Sequence, residues 1–265
     1  MDVIYLDNAA TSFPKPPCVG RAMAGALAAC GANPGRAGHK LALAAGRIVE
    51  SCREDIAAML GETDASRVVF AQNATDALNM AIHGALRTGD HAIATLLEHN
   101  SVLRPLTELS RSGAITLTLI PPDGMGRIHA ADVERAMTRR THLVVMTHMS
   151  NVLGLVQDVA AVGEICRQRG VLFLVDCAQT CNARQIERAA LQRIRHHFRL
   201  EHTLGCRTRS ALTKRRKLHP LLHPERACAM RTEQSLVSRH GQHGRPPWNG
   251  RQRQMSCRLR AVHQK

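Results

Sequence analysis

Four short segments in the first 180 residues combine hydrogen-bonding side chains with positions that a ligand can reach. Asn73-Ala74-Thr75 lies between an apolar run and an amphipathic one. Small residues at a helix N-terminus leave backbone N–H groups to hold a phosphate, and Thr75 adds a hydroxyl. Asp176 closes the apolar run Val171–Val175. A carboxylate at the end of a buried strand has to be paired, and a protonated ring nitrogen is one suitable partner. Gln179, three residues on, reaches the same ligand. His99, in Glu98-His99-Asn100-Ser101, can stack on a flat ring and move protons. Asn151, in Ser150-Asn-Val-Leu-Gly154, offers an amide to a phenolic oxygen. Each residue taken alone also has a plain role. Asn73 and Thr75 suit a helix cap, as do His99 and Asn100. Asp176 can cap the turn that follows it, Asn151 can make a turn, and Gln179 can sit on a surface loop. Together, the four strand ends offer a phosphate cradle, a ring stacker, a phenol partner and a pyridinium partner. That set matches the ring and phosphate of pyridoxal phosphate (PLP).

These residues need a scaffold that brings strand ends together. The apolar pattern supplies strands at Val3–Leu6, Arg67–Ala71, His91–Leu96, Ile115–Ile120, His142–Thr147 and Val171–Val175. Helices are expected at Pro16–Ala29, Leu41–Leu60, Thr75–Leu86, Val102–Ser110, Ala131–Thr138 and Val159–Gln168. Strands that are continuous apolar runs, separated by helices, indicate an α/β protein with a mostly parallel sheet covered on both faces. Ligands bind such sheets outside the carboxyl ends of the strands. After Thr180 the pattern fails. Arg, His, Gln and Pro are spread evenly, residues 182–200 have the makings of a helix, and no run of Val and Ile continues the sheet.

Charge divides the chain at the same place. The 265 residues carry a net +15. Residues 1–180 hold 16 Lys and Arg against 17 Asp and Glu, while 181–265 hold 20 against 4, with no Asp. The expected organisation is therefore a domain over 1–180 and an irregular basic tail over 181–265. A nucleic-acid-binding role for the tail is one reading of that charge. The scarcity of aromatics, 2%, and the absence of a binding motif count against it. The nine cysteines include no Cys-x-x-Cys, which points to a reduced, cytoplasmic protein without a zinc site. No apolar run is long enough to span a membrane, and the acidic start Met1-Asp2 does not resemble a signal peptide.

Five ordered motifs carry a resemblance to a known family. Tyr5-Leu-Asp-Asn-Ala-Ala-Thr11, Asn73-Ala-Thr-Asp-Ala77, Glu98-His-Asn-Ser-Val102, Ser150-Asn-Val-Leu-Gly154 and Val175-Asp-Cys-Ala-Gln-Thr180 resemble the cysteine desulfurases and related class V aminotransferases. The resemblance covers residues 3–180. It implies the large domain of a PLP-dependent transferase, of the type I aminotransferase-like fold, incomplete on its C-terminal side. It implies that Ala74 and Thr75 bind the cofactor phosphate, that His99 stacks on the ring and acts in catalysis, that Asn151 and Gln179 approach the phenolic oxygen, and that Asp176 pairs with the ring nitrogen. The loop Asn33-Pro-Gly-Arg-Ala-Gly-His39 resembles the family's substrate and dimer-contact loop, which marks Asn33, Arg36 and His39. The implied reaction converts L-cysteine to L-alanine and leaves a persulfide on the enzyme. The implied partners are a second subunit and a sulfur-acceptor protein. Selenocysteine lyase and aminotransferase chemistries are the siblings on the same fold. The family's Schiff-base Lys and sulfur-carrying Cys have no match: Leu200-Glu-His202-Thr203 stands where the Lys motif is expected, and the next lysines, Lys214 and Lys217, sit in a basic run. A shift of reading frame near codon 180 would account for an Asp-free, Arg- and His-rich stretch of this kind.

Overall fold

The computed structural model describes residues 4–11, 13–35, 38–60 and 62–180, together with two strands at 197–202 and 210–213. The chain divides into two units. Residues 17–52 belong to one unit, whose described part is helix α1 (Pro17–Cys30), parts of the loop after it and most of α2 (Lys40–Met59). Residues 1–16 and 53–219 make the other, which contains the sheet.

The sheet has seven strands: β1 (Val68–Ala71), β2 (His91–Thr95), β3 (Thr116–Ile120), β4 (Thr141–Thr147), β5 (Leu172–Asp176), β6 (His197–His202) and β7 (Ser210–Thr213). Their spatial order is β1-β7-β6-β5-β4-β2-β3. Neighbours from β3 to β6 pair in parallel, and β7 pairs antiparallel with both β6 and β1. Six strands therefore run one way and only β7 runs against them. Among the described residues, four helices connect the strands: α3 (Ala74–Ala85), α4 (Asn100–Arg111), α5 (Ala130–Ala136) and α6 (Val159–Arg169).

Period-two alternation sorts the strand residues onto two faces. Ala92, Ala94, Leu143, Val145 and Leu174 pack with Leu78 and Ile82 of α3 and Leu106 of α4. Their neighbours Ile93, Val144, Met146, Phe173 and Val175 pack with Val133 of α5 and Val162 of α6. Helices on both faces explain why these strands are apolar throughout rather than alternating. Two of the helices carry clear side-chain caps from Asn or Asp. Asn73 caps α3 by accepting from Asp76 N at 2.8 Å, and Asp158 caps α6 by accepting from Ala161 N at 3.0 Å. Gly170 ends α6 at φ +68°, a left-handed conformation that glycine adopts without strain.

The structure departs from expectation at both ends of the sheet. Ile4–Leu6 is not a strand; Ile4 and Leu6 are exposed, and local bonds such as Ala10 N to Asp7 O at 3.1 Å shape the segment instead. The sheet does continue after Thr180. β6 pairs with the edge of β5, and residues 197–200 are strand where a helix was expected, with 181–196 outside the described residues. An open edge of β5 would leave a row of backbone donors and acceptors, and β6 satisfies them through its backbone. That recruitment needs no run of Val and Ile, so periodicity does not reveal it. Except for these two strands, the basic tail of 181–265 lies outside the described residues.

His91 begins β2 and joins three segments. One ring nitrogen lies 2.8 Å from Thr141 Oγ1 and the other 2.9 Å from Thr118 Oγ1. Burial holds its imidazole below the ordinary histidine value. The folded state thus resists a proton that the unfolded chain accepts, so this contribution to stability is present above about pH 6.5 and is lost as pH falls. As pH falls from about 7 to about 5, wild type should lose urea stability relative to His91→Gln. Parallel profiles for the two proteins would show that His91 does not contribute.

Candidate active site

Because β1, β2, β4 and β5 run the same way, their carboxyl ends share one rim. Two of the residues singled out from the sequence, Thr75 and His99, meet there through hydrogen bonds to Ser101. Thr75, in the first turn of α3, lies with Oγ1 2.7 Å from Ser101 Oγ in the first turn of α4. Ser101 Oγ lies 2.8 Å from His99 Nδ1. His99 also caps α4, since Ser101 N donates to Nδ1 at 3.1 Å. With Nδ1 an acceptor, neutral His99 carries its proton on Nε2. Two helix N-termini, an exposed hydroxyl and an exposed imidazole are thus joined side by side. Positive helix ends and hydroxyl groups favour a phosphate.

Asp176 ends β5 and is 5% exposed. Its Oδ1 accepts from Ala178 N at 2.9 Å, which turns the chain away from the strand. Past its register partner Thr147 at the end of β4, the ladder continues: His148 N donates to Asp176 O at 2.9 Å. His148 Nδ1 then lies 3.0 Å from Thr180 Oγ1. The rim around Asp176 is therefore fixed by hydrogen bonds from two strands.

The other sequence-marked residues divide. Ala74 opens α3 beside Thr75. Gln179 reaches the N-terminal motif, with Nε2 donating to Ala9 O at 3.0 Å. Asn151 sits exposed in a turn closed by Gly154 N donating to Ser150 O at 2.9 Å. Asn33 and His39 belong to the other unit, where His39 Nδ1 accepts from Ala42 N at 3.3 Å near the start of α2. Arg36 lies outside the described residues.

Sequence reasoning missed Glu98 as a site residue. It is 6% exposed; Oε1 accepts from Thr95 Oγ1 at 2.6 Å and from Thr147 N at 2.9 Å. Burial pushes its carboxyl up to about 7, with the nearby Asp176 charge adding to the rise against the lowering effect of those hydrogen bonds. The signal was available, because the argument for a strand-end carboxylate that picked out Asp176 applies equally to Glu98 after β2. Ser101 was legible only as part of a motif, since its role depends on two helices meeting.

A mostly parallel sheet flanked by helices, with two helix N-termini and a buried acid on one rim, defines an α/β scaffold. The aminotransferase class-V family model matches residues 4–193, and the chain belongs to that family. Cysteine desulfurase IscS of Vibrio cholerae serotype O1 (strain M66-2) is 39% identical over 183 residues, covering 67% of this chain and 45% of that protein. The IscS of Pectobacterium atrosepticum is 37% identical over 195 residues, 71% of this chain and 48% of that protein. The chain thus spans about half the length of the curated relatives it matches. Among solved structures, the apo cysteine desulfurase from Thermococcus onnurineus NA1 is similar at a TM-score of 0.74 and 28% identity, over 83% of this chain and 56% of that one. SspA in complex with cysteine matches at 0.75 and 28%, over 83% and 65%.

PLP is the cofactor expected of this family. The donor set fits its non-covalent contacts: a hydroxyl and helix end for the phosphate, an exposed imidazole for the ring face, and a buried carboxylate for the ring nitrogen. Covalent attachment has no such fit among the described residues, whose lysines are Lys15 and Lys40, both before the sheet begins.

The raised value of Glu98 carries a sign for stability. The folded chain holds the proton more tightly than the unfolded one, so the contribution is full below about pH 4.5 and is lost as pH rises through about 7. A shift of that size corresponds to roughly 3 kcal/mol. Urea denaturation from about pH 5 to about pH 8.5 should show wild type losing stability relative to Glu98→Gln. Parallel profiles would contradict it.

Proposed function

We propose that the chain is the PLP-binding portion of a cysteine desulfurase, holding the cofactor through its rim without a covalent bond and turning over poorly. The observation that carries this reading is the hydrogen-bonded chain Thr75–Ser101–His99 on the same rim as buried Asp176. The names of its relatives supply the substrate: cysteine desulfurases in sequence, and a neighbour described in complex with cysteine.

When bound, PLP supplies an electron sink that acidifies the Cα proton of an amino acid. Asp176 would pair with the ring nitrogen and keep it protonated. His99 would stack on the ring and exchange a proton at Nε2. Thr75 and the N–H groups opening α3 would anchor the phosphate, fixing the ring's orientation. Asn151 and Gln179 would approach the phenolic oxygen once Gln179 exchanges its bond to Ala9 for one to the ligand. The substrate and dimer-contact role of the loop with Asn33, Arg36 and His39 rests on the resemblance alone.

Among the described residues, no lysine follows the start of the sheet, and Cys177, next to Asp176, is buried. Sulfur abstraction needs a thiolate, and Cys166 is buried with its thiol pushed up to about 12. The only lysines after β5 are Lys214, Lys217 and Lys265. In the family setting, the expected partners are a second copy of the chain and a sulfur-acceptor protein, within iron–sulfur cluster assembly in the cytoplasm. No described helix is long and apolar enough to cross a membrane. The division into a cofactor-binding domain over 1–180 and a basic tail belongs to the same reading.

Equilibrium dialysis should detect reversible PLP binding that weakens by about tenfold or more in Asp176→Ala, the scale of a lost charge-assisted hydrogen bond. Alanine formation from cysteine should be negligible. A visible lysine-linked cofactor band that vanishes in Lys214→Ala would overturn the non-covalent reading.

A further inference from the structure

The carboxyl of Glu98 is a buried ionisable group to which the reaction outlined above gives no part. Its Oε1 is occupied by two donors, Thr95 Oγ1 and Thr147 N. Its Oε2 is buried and has no hydrogen-bond partner. The two donors come from different strands: Thr95 ends β2 and Thr147 ends β4. Thr147 is in turn the register partner of Asp176 on β5. One carboxyl thus spans the ends of two strands and lies beside the third, whose last residue is also a buried acid. A dry pocket does not hold two neighbouring carboxylates cheaply, so one of them keeps a proton. Since Oε1 accepts from two donors, that proton belongs on Oε2. A neutral O–H without a partner costs far less there than a bare negative oxygen would.

Other titratable groups stand nearby. His99 follows Glu98 directly and is engaged with Ser101. His148 lies just past β4 with Thr180, and Cys177 lies next to Asp176. The charge that acts on Glu98 is that of Asp176.

We propose that Glu98 is a positioning residue for the cofactor site: it ties the end of β2 to the end of β4 and shares a single negative charge with Asp176, keeping the proton itself so that Asp176 meets the ring nitrogen as the carboxylate. The clamp also fixes the backbone from which His99 projects, so both ring-facing groups depend on it. The cofactor part of this inference rests on the PLP reading above; the shared charge between the two acids does not.

The experiment uses the full chain labelled with 15N, with the Thr147 amide as reporter because it donates to Glu98. In wild type its shift should titrate near neutral pH. In Glu98→Gln that titration should vanish while the amide stays hydrogen-bonded. In Asp176→Asn the midpoint should fall by about one pH unit, since removing a neighbouring negative charge eases ionisation. PLP binding by equilibrium dialysis should weaken by about tenfold in Glu98→Ala, the scale set by losing a hydrogen-bonded clamp, and should return to near the wild-type value in Glu98→Gln. A midpoint unmoved by Asp176→Asn overturns the shared charge. Equal weakening in Glu98→Ala and Glu98→Gln overturns the neutral clamp. If wild type fails to bind PLP at any pH, the cofactor reading and the positioning role fall together, and the Asp176→Asn midpoint still decides whether the two acids are coupled.

Discussion

Parallel strands with helical crossovers place every strand's carboxyl end on the same side, and the candidate site depends on that constraint. β2, β4 and β5 deliver Glu98, Thr147 and Asp176 to one edge because they run together in register. The crossovers α3 and α4 begin at that same edge, so their positive ends lie beside the strand-end acids. Reversing any of these strands would move its terminal residue to the opposite edge. The packing that enforces the direction is ordinary: small Ala92 and Ala94 admit α3 and α4 on one face, and Ile93, Val144 and Phe173 meet α5 and α6 on the other.

Charge balance on the rim follows from burial. Asp176 and Glu98 are both nearly inaccessible to water, and each has bound itself to backbone N–H groups of its neighbours. Hydrogen bonds favour the ionised form while desolvation opposes it, and for Glu98 desolvation wins. The outcome is a buried Glu98 that resists ionisation beside a second buried acid.

Much of this was legible from the letters. Apolar runs with Gly and Pro punctuation placed five of the seven strands and all six helices to within a few residues, because both faces of the sheet are buried and the strands are consequently unbroken hydrophobic runs. Ile4–Leu6 misled, since an apolar pair at the chain's start pairs with no strand and stays exposed. β6 and β7 were invisible because edge pairing uses the backbone. In the site, Thr75, His99 and Asp176 were readable as residue types at strand ends. Their connection through Ser101 was not, since Thr75 and Ser101 are 26 positions apart and meet only when α3 packs on α4. Glu98 was overlooked beside the more suggestive His99, although the same physical argument covers both acids.

The family assignment covers the scaffold, and among the described residues no lysine follows the start of the sheet. The central claim is that this rim is the PLP site. Titrating PLP into the 15N-labelled chain tests it most directly. The account predicts that the amides of Thr75, His99, Ser101 and Ala178 shift together along one saturable curve. Shifts confined to the basic run Lys214–Lys217, with the rim amides unmoved, would contradict it.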